Sequence, residues 1–191
     1  QAGGEGGKKI ILEAAELAEK LTPDVNGRNG MNTGMVAARL AAYDWPKAEA
    51  LYSEIVKADM AANRADWRIL FARASTREAA GKWKEAEADA LAALAAEPDR
   101  PELQNFLGYG WVNRGERVKE GMDLIQKAVD ARPDQGYIVD SLGWAHYAIG
   151  EYLQAVEILE RAAELSPSDP EIVDHLGDAY WRKGRETEAA F

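Results

Sequence analysis

Few side chains in this chain have reactive potential. There are two histidines and no cysteine, which removes disulfides, thiolate zinc sites and cysteine nucleophiles. His175 follows Asp174 and lies one helical turn before Asp178. Together they could offer a metal one imidazole and two carboxylates, but that set without further ligands makes a poor site. Near the start, Gly3-Gly4-Glu5-Gly6-Gly7-Lys8-Lys9 places glycines before lysine, as a phosphate loop does. It lacks the first glycine at the required spacing, the Ser or Thr after lysine, and a preceding strand. No catalytic constellation, cofactor motif or metal site emerges, and a non-enzymatic role is expected.

The formal net charge is -10. Nucleic-acid binding needs clustered Lys and Arg to neutralise phosphates, so a nucleic-acid partner is not expected. A neutral to basic partner is. No run of about 18 apolar residues exists, so no membrane-spanning segment is predicted. Hydrophobic residues make up 47% of the chain, enough for a continuous core.

The elements that position these groups announce themselves by repetition. Leu107-Gly108, Leu142-Gly143 and Leu176-Gly177 recur about every 34 residues. Ala93, Ala128 and Ala162 keep the same register, and each is followed by a proline (Pro98, Pro133, Pro167). Gly81, Gly115, Gly150 and Gly184 mark a turn in each unit. A helix pair of this length cannot bury its apolar face alone and must stack on neighbours.

Apolar spacing predicts helices at 8–21, 31–43, 46–58, 66–80, 83–96, 101–114, 118–131, 136–149, 152–165, 170–183 and from 186 onward. Pro101 and Pro170 suit a first helical turn, where the missing N–H costs nothing. The four turn glycines suit the left-handed position just past a helix end. Residues 1–7 read as a flexible leader, and Asn26-Gly27 with Asn29-Gly30 as a turn. Residues 8–191 are expected to form one array: a half repeat at 8–28, a degenerate repeat at 29–66, repeats at 67–100, 101–135 and 136–169, and a truncated repeat at 170–191. Both ends look cut from a longer array.

Within Gly136 to Asp169, the order Leu142-Gly143, His146, Gly150, Tyr152, Ala155, Leu159, Ala162, Pro167 resembles the tetratricopeptide repeat (TPR). The resemblance implies an all-α, right-handed superhelix of antiparallel helix pairs, an α-solenoid. In it Gly143 and Ala155 permit close helix approach, while Leu142 and Leu159 fill the space between pairs. His146 falls at the aromatic packing position and reads as a core or boundary histidine. Some positions depart from the pattern. Arg73-Ala74 replaces Leu-Gly, Arg77 stands where an aromatic is common, Gly121 replaces alanine, and the turn at 115–118 carries an extra residue. From Leu103 onward the chain is also similar to the C-terminal repeats of large bacterial TPR proteins. Some of those are outer-membrane lipoproteins that act as adaptors for a periplasmic processing protease. This resemblance favours the periplasm over the cytoplasm.

TPR arrays bind partners on the concave face lined by the first helix of each pair. Carried onto this register, the groove residues are Asn105, Tyr109, Asn113, Tyr137, Asp140, Trp144, Tyr147, Asp178 and Trp181. Aromatics with one polar end anchor an extended peptide or helix well. The two-carboxylate clamp of chaperone-binding TPRs needs Lys at the fifth position, where this chain has Asn105, Asp140 and Asp174. That acidic floor favours Lys or Arg in a ligand. The expected function is a scaffold or adaptor that captures a protein or peptide. A self-assembling array and a regulatory arm of a larger enzyme are the alternatives.

Overall fold

The computed structural model describes residues 44–61 and 66–184. Every regular element among them is an α-helix: α1 (Trp45–Ala61), α2 (Trp67–Ala79), α3 (Trp83–Ala96), α4 (Pro101–Asn113), α5 (Val118–Ala131), α6 (Gly136–Ala148), α7 (Tyr152–Leu165) and α8 (Pro170–Arg182). The helices expected from 46 to 183 are all present, shifted at their ends by a few residues at most. The expected helices at 8–21, 31–43 and from 186, the leader and the Asn-Gly turn lie outside the described residues. The chain divides into two compact units, Gln1–Pro98 and Asp99–Phe191. Their boundary falls in the turn that follows α3.

Local chemistry sets the helix ends. Gly81, Gly115, Gly150 and Gly184 close α2, α4, α6 and α8 with φ between 66° and 84°, a region that strains a side chain. Asp66 and Asp169 cap α2 and α8, accepting the N–H groups of Arg68 and Glu171 at 2.9 and 3.1 Å. Pro101 and Pro170 open their helices as expected. The extra residue before α5 puts Arg117 in the left-handed region, φ 42°. Its guanidinium lies 3.8 Å from the Trp111 ring centroid and bonds Glu120, which offsets that strain.

In the first unit, α2 packs against α1 and α3. The departures at Arg73 and Arg77 have a structural reason there. Arg73 makes a two-pronged bond to Asp89 of α3, both contacts at 2.7 Å, and also reaches Ser53 of α1 at 3.3 Å. Arg77 bonds Asp89 at 2.7 Å and Glu49 of α1 at 3.0 Å, and Lys82 closes on Glu49 at 2.6 Å. A largely buried ionic lattice thus ties three helices where the repeat pattern has leucine and an aromatic. Its bonds satisfy the charges that burial would otherwise penalise.

In the second unit, α4 pairs with α5 and α6 with α7, and α8 packs on both α6 and α7. Gly108 and Gly121 meet at the α4–α5 crossing. A Cβ on Gly121 would sit 2.8 Å from the Gly108 carbonyl oxygen, and one on Gly108 would sit 2.6 Å from the Gly121 oxygen. The glycine that replaces the usual alanine is therefore half of a reciprocal backbone contact. Leu142 joins a buried cluster with Val112, Ile138 and Ile172, which links successive helix pairs. Leu159 covers Gly143 within its own pair and also meets Ala179 of α8.

Candidate interaction face

The first helices α4, α6 and α8 lie side by side, α6 between the other two. This order follows from the repeat: each second helix packs behind its own first helix, so the first helices become neighbours. Residues near the middle turns of α6 and α8 then meet across one seam.

At that seam His175 of α8 bonds Asp140 of α6, with Nδ1 at 3.0 and 2.9 Å from the two carboxylate oxygens. Both side chains are buried. The imidazole also stacks on Trp144, with ring centroids 4.1 Å apart and planes at 18°. Trp144 stacks in turn on Tyr147 at 4.6 Å and 12°. Its indole N–H points to Asn113 Oδ1 of α4, 3.4 Å away. Tyr147 meets Tyr152 edge-on, and Arg182 reaches the Tyr147 hydroxyl at 3.4 Å. On the other side, the Tyr109 hydroxyl of α4 donates to Glu171 of α8 at 3.1 Å. Apart from the Tyr109–Glu171 bond, these rings and polar bonds form one connected set that joins α4, α6, α7 and α8.

The electrostatics of the seam follow from burial and crowded carboxylates. Burial opposes charge on His175. The bond to Asp140 and the negative charges of Asp140, Glu171 and Asp178 outweigh it and raise the imidazole above its ordinary value. Burial pushes the Asp140 carboxyl up, while the bond and charge of His175 pull it down. The pair holds its shared proton more tightly than the separate groups would.

The nine groove residues expected from the sequence fall into three environments. Asn105 and Asp140 are buried beneath the face; Asp140 is taken by His175, and Asn105 Oδ1 has no hydrogen-bond partner among the described residues. Tyr109, Trp144 and Tyr147 are half-buried and take part in the bonds and stacks between helices. Asn113, Tyr137, Asp178 and Trp181 are exposed, with Tyr137 at 45% and Trp181 at 60%. The sequence grouped His175 with Asp174 and Asp178. The structure pairs it with Asp140 instead, one repeat away, and no cluster of three or more potential metal ligands occurs among the described residues. His146 is half-buried and bonds Glu151 at 2.7 Å, a boundary position. Tyr152 and Arg182 belong to the same set of contacts.

A tetratricopeptide-repeat model matches residues 71–136, and a TPR-repeat model matches residues 143–184, together more than half of the chain. The chain is a TPR protein. Over 90 residues, 47% of its length, it is 35% identical to the TPR repeat-containing protein PA4667 of Pseudomonas aeruginosa, and it spans 15% of that relative's length. Among solved structures it resembles MamA 41-end from Desulfovibrio magneticus RS-1, with a TM-score of 0.70 at 18% identity over 86% of this chain and 90% of that one. It also resembles TTC0263, a thermophilic TPR protein in Thermus thermophilus, with a TM-score of 0.70 at 20% identity over 84% of this chain and 86% of that one. These likenesses support an all-α TPR solenoid fold. No helix among the described residues of the TPR chain is long and apolar enough to cross a membrane.

Proposed function

We propose that this TPR chain is a non-catalytic interaction module that captures a neutral to basic segment of a partner protein on the face of α4, α6 and α8. The supporting observation is that Tyr137 of α6 and Trp181 of α8 are exposed, with carboxylates nearby that a partner can use. Trp181 is 60% exposed, and Asp174 and Asp178 lie exposed within the two preceding turns of α8. An exposed indole beside carboxylates suits a Lys or Arg side chain, through ring contact and charge together. The half-buried rings of Trp144 and Tyr147 supply a rigid floor, and the buried Asn105 and Asp140 support that floor rather than touch the partner.

The test is affinity capture followed by direct binding. Wild type and a Tyr137→Ala/Trp181→Ala variant, both confirmed helical by circular dichroism, are used as baits in native extract. The captured protein is identified, purified and titrated against each bait. Both substituted side chains are exposed, so the variant should remain folded. Hot-spot truncation costs about 2 kcal/mol or more, so binding should weaken by roughly thirtyfold or more. Equal affinity for the two baits would remove this face as the binding site.

A further inference from the structure

The centre of the proposed face holds a titratable group that is bonded to a neighbouring helix and stacked on a site residue. His175 reaches from α8 to Asp140 of α6, and its ring lies on Trp144, also of α6. We propose that the proton on His175 regulates this face, holding α8 against α6 and fixing the indole of Trp144 in its stack. The proposal rests on the reading of this face as the partner site.

The geometry gives the proton two places to act. A protonated imidazole forms an ion pair with Asp140 and a cation–π contact with Trp144 at the same time. Both weaken when the proton leaves. The buried carboxylate of Asp140 then keeps a hydrogen bond but loses its compensating charge, which is costly away from water. The cost falls if α6 and α8 part enough to admit water, and such a movement alters the support beneath Trp144 and Tyr147.

The surrounding charges favour the protonated state. Asp140 faces His175 from α6, and Glu171 and Asp178 act on it from its own helix. Asp174 is its immediate neighbour in sequence. On the α4 side, Tyr109 binds Glu171 through its hydroxyl and brings no charge. On the α7 side, Glu160 takes the hydroxyl of Tyr180. The nearby cation of α8, Arg182, is directed to Tyr147 and lies 5.9 Å from the Tyr152 ring. The raised imidazole value agrees with this arrangement.

The experiment is a titration of the full chain by nuclear magnetic resonance, following the imidazole rings and the indole N–H signals. His146→Gln separates the two histidines, and Trp144→Phe identifies the Trp144 signal. His175 should titrate above 6.5, and the Trp144 indole should move with the same midpoint. His175→Gln keeps a donor for Asp140 but cannot titrate, so the Trp144 signal should become flat. A flat Trp144 signal in wild type overturns the proposal, as does a transition that survives His175→Gln. The wild-type titration decides the matter even if the variant does not fold. For the partner captured above, wild type should bind about threefold or more tighter at pH 6 than at pH 9, half a pK unit of coupling or more. If Tyr137→Ala/Trp181→Ala abolishes binding while wild type shows no pH dependence, the face stands and its regulation falls. If neither change affects binding, both fall.

Discussion

His175 donates from Nδ1 to both carboxylate oxygens of Asp140, across the seam between two successive first helices. The residues lie one repeat apart in sequence, so the bond fixes the register of one helix pair on the next. A charge-assisted hydrogen bond of this kind contributes about 1.5–3 kcal/mol.

The sign of its pH dependence follows from the direction of the shifts. The folded state raises the His175 value above 6.5, so it binds the proton more tightly than the unfolded chain. The resulting stability is fully present below 6.5 and is lost as pH rises through the raised value. Asp140 is raised above 3.8 by burial, so its shift acts in the same direction in the acid range. Chemical denaturation of wild type and His175→Gln at a series of pH values measures the effect. The gap between them should be widest below pH 6.5 and should narrow as pH climbs further. Parallel profiles would mean that the imidazole carries no linked charge.

The ionic lattice of the first unit gives a second prediction. Asp89 receives two arginines, so Asp89→Ala strands the half-buried guanidinium of Arg73, leaves Arg77 only Glu49, and should cost about 3–5 kcal/mol in a denaturant melt. Restoring the usual apolar character with Arg73→Leu, Arg77→Tyr and Asp89→Ala together should cost less than Asp89→Ala alone, because no charge is left unpaired. A triple variant weaker than the single one would show that the lattice stabilises beyond satisfying its own charges.

Most of the fold was legible because the residues that set it are local and repeated. The glycines at 81, 115, 150 and 184 and the prolines at 101 and 170 fix helix ends through backbone geometry, and their spacing exposes the period. The departures were legible too, as positions; their partners were not. Arg73 and Arg77 stood out as charges in an apolar pattern, yet nothing in the sequence singled out Asp89 as their shared partner. Asp140 looked like a groove residue, and His175 looked like a companion of Asp174 and Asp178 on its own helix. The signal that could have paired them is their place in the repeat: the fifth position of one unit meets the sixth of the next. The same rule sets Asn105 against Ser141, but Ser141 donates back to its own helix, to the Tyr137 carbonyl at 3.0 Å.

That contrast makes Asn105 testable. Its Oδ1 is buried without a hydrogen-bond partner among the described residues, and an unsatisfied buried acceptor costs about 1–3 kcal/mol. Asn105→Leu, close in size and apolar, should leave stability unchanged or raise it, whereas Asn105→Asp should lower it by burying a charge. Thermal melts of the two variants check this. A clear loss in Asn105→Leu would show that the amide does structural work in its buried position.

The α4–α5 crossing separates this chain from the ordinary repeat pattern most sharply. Alanine is usual where Gly121 stands, and elsewhere glycine to alanine in a helix stabilises by about 0.5–1 kcal/mol. Here a Cβ would lie 2.8 Å from the Gly108 carbonyl oxygen and 3.0 Å from a Val112 methyl. The backbone oxygen belongs to a helix and cannot swing aside, so the pair must separate. Gly121→Ala should therefore destabilise by about 1–3 kcal/mol, the usual range for overpacking. Leu142→Ala, in the cluster that joins the helix pairs, should cost about 2–5 kcal/mol by leaving a cavity. Lys127→Ala, at an exposed position on α5, should stay within about 0.5 kcal/mol of wild type. Denaturant melts of the three variants rank them directly. If Gly121→Ala proved as harmless as Lys127→Ala, the close approach of α4 and α5 would not be a constraint on the sequence, and the glycine would need another explanation.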